Sequence, residues 1–102
     1  MSDDDLPLYE VILSPTSEIA LMAIGSRADL RAVDNVLQAL ATTPTMGRTY
    51  DPLYEAATPE KPIMVVYAGH YGIYYDIDES CLKVNVAYIE DQRTDPTKRF
   101  GT

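Results

Sequence analysis

The sequence predicts an α+β fold: two N-terminal helices packed on one face of an antiparallel sheet, which is made of an N-terminal strand and a C-terminal three-strand meander. Three observations carry this. Apolar residues alternate with polar ones near the start, recur every three or four residues through positions 16–40, and run almost unbroken from 63 to 89 with only "GH" and "DES" as punctuation. Helices grouped together and then strands grouped together is the order of an α+β domain.

The first element is "LYEVILS", in which Tyr9, Val11 and Leu13 alternate with Glu10, Ile12 and Ser14, the period of a strand. Pro15 ends it. "SPTSEIALMAIG" follows, with Thr16 and Ser17 as expected capping hydroxyls, Ile19, Met22 and Ala23 as the expected apolar face, and Gly25 as the expected stop. Ser26 is a natural cap for "RADLRAVDNVLQALA". There Leu30, Val33, Leu37 and Leu40 form a core-facing stripe with Val36 beside them, and Arg27, Arg31, Asp34 and Gln38 take the other face.

Four prolines and a glycine make "TTPTMGRTYDPLYEAATPEKP" a connection, with at most a short strand around Leu53 and Tyr54. Its length hints at function or mobility. "IMVVYA" is apolar on both faces, as a central strand is, and Gly69 and His70 turn it into "YGIYYDID". In "LKVNVAYIE", Leu82, Val84, Val86 and Tyr88 are expected on one face, with Lys83, Asn85, Ala87 and Ile89 on the other.

The chain of 102 residues is expected to form one domain, with residues 1–6 an acidic tail and 91–102 a mobile C-terminal tail. No apolar run approaches the roughly 20 residues that cross a bilayer, and "MSDDDLP" lacks the basic and apolar regions of a secretory signal. A cytoplasmic location without membrane contact is the expectation. The single cysteine, Cys81, makes no intramolecular disulfide and is read as structural. His70, the single histidine, has no metal-ligand pattern around it, so neither metal nor cofactor is expected.

Sixteen carboxylates against eight Lys and Arg give a net charge of −8, a field that repels phosphate backbones and disfavours direct nucleic-acid binding. The one local basic spot gathers Arg93, Lys98 and Arg99. Tyr67, Tyr71, Tyr74 and Tyr75 with His70 make an aromatic cluster that a hairpin would distribute over both sheet faces.

The order of these elements resembles the RelE/ParE superfamily of bacterial toxins from type II toxin–antitoxin modules. The likeness lies in "YEVILSPTSEIALMAI", in "LQALATTPTMGRTYDPL" and in "VVYAGHYGIYYDIDESCLKVNVAYIEDQR", and covers nearly the whole chain. In the members that cut messenger RNA on the ribosome, lysines and arginines of the meander stabilise the phosphorane while a late tyrosine or histidine moves protons. This sequence departs from that pattern. Gly72 stands where the resemblance implies an arginine, Ile63 to Val66 where basic residues are expected, and Phe100 about where a terminal acid or base would lie.

The catalytic candidates that survive are His70 and Tyr71 as an acid–base pair, with Arg93 and Lys98 as phosphate contacts. For binding, the resemblance points to a cognate antitoxin-like protein and, in ParE-type relatives, to DNA gyrase; in RelE-type relatives it points to the ribosome. Tyr67, Tyr74, Tyr75, Arg48, Lys98 and Arg99 are the expected contact residues. Pairing of a sheet edge in a homodimer or with a partner's strand is a further expectation. The three readings are a toxin acting by protein contact, a metal-independent endoribonuclease, and a non-toxic interaction module on the same scaffold.

Overall fold

The computed structural model describes residues 8–50 and 63–93. Strand β1 (Glu10–Leu13) leads into helix α1 (Pro15–Met22) and helix α2 (Arg27–Leu40). A 3-10 turn at Pro44–Met46 precedes a two-residue strand β2 (Arg48–Thr49), and the chain closes with β3 (Met64–Ala68), β4 (Tyr71–Asp78) and β5 (Lys83–Asp91). The expected strand near Leu53 and Tyr54 falls outside the described residues, as do Lys98, Arg99 and Phe100. Asp91 belongs to β5 rather than to a tail.

The sheet order is β1-β5-β4-β3-β2. The meander is antiparallel as expected, but β1 runs parallel to β5, so the sheet is mixed. The reason is topological: two helices stand between β1 and the meander, and a connection of that length lets the chain return in either direction.

Both helices start on serines. Ser26 Oγ accepts from the Asp29 N–H at 3.2 Å, as the sequence suggests. For α1 the cap is Ser14, whose Oγ accepts from the Ser17 N–H at 3.0 Å, with Pro15 at the first helical position; Thr16 and Ser17 are already inside the helix. Helix α1 ends at Met22 with Ala23 as its cap, so Gly25 is not its terminator.

Ser14 and Ser17 also hold a kink in the sheet. Tyr74 pairs with Tyr88 and Tyr75 with Val86, which leaves Ala87 as the extra residue of a β-bulge. Ser14 Oγ donates to the Ala87 carbonyl at 2.7 Å, and the fully buried Ser17 Oγ lies 3.1 Å from the Val86 carbonyl. The Ala87 carbonyl thereby gains a donor, and the Val86 carbonyl, which already accepts from the Ser14 N–H at 2.9 Å, gains a second. The bulge also reverses side-chain phase. Ile89 turns to the helix side with Val84 and Val86, whereas simple alternation put it opposite them.

The core lies between the helices and the sheet: Val33, Leu37 and Leu40 from α2, Ile24 after α1, and Ala68, Ile73, Tyr75, Val84, Val86 and Ile89 from the strands. Removing each large aliphatic side chain among these from water contributes about 1.5–3 kcal/mol. Two expectations for the helices fail here. Ile19 and Met22 are exposed, at 67% and 82%, and Leu30 is exposed as well. Helix α1 packs against β5 through Ser17, so its inward face is Ser17, Ala20, Leu21 and, just beyond, Ile24.

Candidate functional site: an acid-flanked histidine–tyrosine–arginine corner

The turn between β3 and β4 is Gly69–His70, with Gly69 at φ 62°, a backbone state that favours glycine. This tight turn carries His70 to the N-terminal end of α2. Its Nε2 is buried and sits 3.2 Å from Asp29 Oδ2, an ion pair when the imidazole is protonated, though the ring N–H does not point along the line of a hydrogen bond. The Tyr71 ring lies 4.8 Å from the His70 ring, tilted by 35°.

The end of β5 completes the corner. Asp91 is the register partner of Tyr71, and the Gln92 N–H donates to the His70 carbonyl at 2.7 Å. Arg93 then folds back on Asp91: its Nε and Nη2 donate to the two carboxylate oxygens at 3.0 and 2.8 Å, and its backbone N–H adds a third bond at 2.9 Å. These bonds hold the Asp91 carboxyl down to about 2 and raise the Arg93 guanidinium, which also feels Tyr71 and Asp29.

His70 and Tyr71 thus lie ring to ring, with Arg93 within electrostatic reach of Tyr71 and the carboxylates of Asp29 and Asp91 among them. Neither Asp29 nor Asp91 is singled out by the sequence. Asp29 reads as a residue of a helix's first turn, and only the tight Gly69–His70 hairpin brings it to the histidine; Asp91 carries a visible signal, its position two residues before Arg93. Among the described residues no group of three or more His, Cys, Asp or Glu could hold a metal ion.

The remaining contact candidates divide between the two faces. Arg48 stacks over the exposed Tyr67 ring at 5.7 Å on the helix-free face. Tyr74, on that same face, is buried against Tyr50, edge to face at 5.0 Å, and accepts from Gln92 Nε2 at 3.2 Å. Tyr75 is buried in the core on the opposite face. Burial of 1% and 0% exposure leaves neither Tyr74 nor Tyr75 a ring to offer a partner, which corrects the reading of both as contact residues.

No protein-family model matches the chain, and no curated protein matches its sequence. Solved structures do. The toxin–antitoxin complex RelBE2 from Mycobacterium tuberculosis matches with a TM-score of 0.67 and 20% identity, over 87% of this chain and 97% of that one. The archaeal RelE–RelB complex from Pyrococcus horikoshii OT3 matches with a TM-score of 0.68 and 13% identity, over 86% and 99%. This chain has the RelE fold.

On this RelE fold the position that the resemblance assigns to an arginine, Gly72, is hemmed in. A Cβ there would stand 2.5 Å from Gln92 Nε2 and 3.1 Å from Tyr74 Cε1, so any side chain requires Gln92 to swing away from the Tyr74 hydroxyl. Strands β3, β4 and β5 carry a single basic residue, Lys83, and its partner in the ladder is Asp78, at the opposite end of β4 from Tyr71. No helix among the described residues is long and apolar enough to cross a membrane.

Proposed function

We propose that this RelE-fold protein is a toxin-type component of a bacterial toxin–antitoxin pair, that it acts by protein–protein contact, and that an antitoxin-like protein is its partner. The observation that carries this reading is the Arg93–Asp91 fork. A phosphoryl-transfer site must meet the charge that develops on the phosphorane, and loss of one preorganised donor costs on the order of 100-fold or more in rate. Here the guanidinium at the corner is already neutralised, Asp29 adds a second negative charge beside His70, and Gly72 supplies nothing. The partner half of the reading is supported by the two similar structures, one a toxin–antitoxin complex and the other a RelE–RelB complex.

The second reading, a metal-independent endoribonuclease, is favoured by one observation: the imidazole of His70 and the phenol of Tyr71 lie ring to ring, with Arg93 within electrostatic reach. Co-purification of the product of the native operon separates partner from no partner. The expected result is a stable complex with a second short chain; isolation of this protein alone from an operon that encodes no second chain opposes the reading.

A further inference from the structure

Among the described residues no strand pairs with the outer edge of β1. Glu10 and Ser14 turn their N–H groups toward β5, donating to the Leu82 and Val86 carbonyls at 2.9 Å each, so residues of odd number turn theirs away from the sheet. The outward N–H of Tyr9 is used, donating to the Ala41 carbonyl at the end of α2 at 2.8 Å. The next two along the strand, at Val11 and Leu13, meet no hydrogen-bonding group among the described residues.

Beside this edge runs an open groove of about 330 Å³ between β1 and the two helices. Val11, Leu13, Leu21 and Leu37 make it apolar, and Asp34 is the one charged wall residue among the described residues, with Gln38 donating to Asp34 Oδ2 at 2.7 Å. An open strand edge that flanks an apolar groove is the geometry of strand addition: main-chain bonds hold the guest, and alternate side chains fill the groove.

We infer that the β1 edge and this groove receive an extended, lysine- or arginine-bearing segment of a partner protein, which adds as a strand on Val11 and Leu13 and sets an aliphatic side chain against Leu21 and Leu37. Charge selects the guest. A net charge of −8 repels a second copy of the chain, while Asp34 on the groove wall and the overall field favour a cationic segment. The inference rests on the partner reading above in so far as that reading supplies a second protein; it adds where that protein docks and what its docking segment is made of.

The test uses two capped heptapeptides, one alternating lysine with valine and the other alternating glutamate with valine, followed by amide NMR and hydrogen exchange on the full chain. The amides of Val11 and Leu13 exchange fast in the free protein. The lysine peptide slows them and shifts Leu21 and Leu37, whereas the glutamate peptide does neither. Val11→Pro deletes an outward N–H and no sheet bond, and weakens binding tenfold or more; Asp34→Arg, on the exposed face of α2, does the same should the proline variant fail to fold. Four outcomes overturn the inference: slow exchange of Val11 and Leu13 before peptide is added, protection that rises with protein concentration, lysine-peptide shifts that are absent or map to another face, and undiminished binding by both variants. An operon partner that binds Val11→Pro and Asp34→Arg as tightly as the native chain removes this docking site and leaves the proposed function standing. A lysine peptide bound at β1 in a protein that has no operon partner does the reverse.

Discussion

The Tyr75 hydroxyl donates to the Pro44 carbonyl at 2.6 Å and accepts from the Gly47 N–H at 3.1 Å, so one core side chain fastens the segment that follows α2 to the sheet. Tyr75→Phe keeps the ring and orphans both backbone groups, which costs about 1–3 kcal/mol in urea unfolding. Gly47→Ala also destabilises, because a Cβ would lie 2.6 Å from the Tyr75 hydroxyl and 2.7 Å from the Val65 carbonyl, which is backbone and cannot swing aside.

Burial raises the Tyr75 phenol above its ordinary value of 10.0, against a smaller opposing effect of the Gly47 bond. A raised folded-state pKa stabilises the protein below the unfolded value and withdraws that stabilisation as pH climbs toward the folded value. Stability measured by denaturant titration therefore declines from about pH 10 upward. In Tyr75→Phe this part of the decline is absent.

Ser14 serves three groups at once: the Ser17 N–H, the Ser17 hydroxyl and the Ala87 carbonyl at the bulge. Ser14→Ala removes a helix cap and leaves the bulge carbonyl without its donor, and the expected loss is about 1–2 kcal/mol. Hydrogen exchange near Ala87 and Tyr88 rises with it. Met22→Lys is the contrasting case: the side chain is 82% exposed, and stability changes by no more than about 0.5 kcal/mol.

Much of this architecture is legible in the sequence because strand and helix periods are local. The meander, α2 and the Ser26 cap follow from spacing alone. What spacing misreads is set by distant partners. Ile19 and Met22 look like a buried stripe, yet α1 meets β5 through Ser17, a hydroxyl that earns its place by bonding a bulge carbonyl. Ile89 looks like an outward residue, and one unpaired alanine turns it inward. The parallel pairing of β1 leaves no local trace either. At the candidate site the sequence brings out His70, Tyr71 and Arg93 but not their acidic neighbours, since Asp29 is 41 residues from His70 in the chain and meets it only through the fold.

The Asp91 carboxyl, held near 2 by Arg93, contributes stability that is present above the ordinary value of 3.8 and is lost as pH falls from about 4 toward 2. A carboxyl titration by NMR finds its midpoint near 2 in the native chain. In Arg93→Ala the midpoint moves up toward the ordinary carboxylate range.

The charge pairing at this corner is tested most directly by adding purified protein to translating ribosomes and mapping the 5′ ends of the transcript. Messenger RNA is expected to stay intact at protein concentrations in excess of ribosomes, with the native chain indistinguishable from His70→Ala and Arg93→Ala. Codon-specific cleavage by the native chain that disappears in either variant would contradict this expectation.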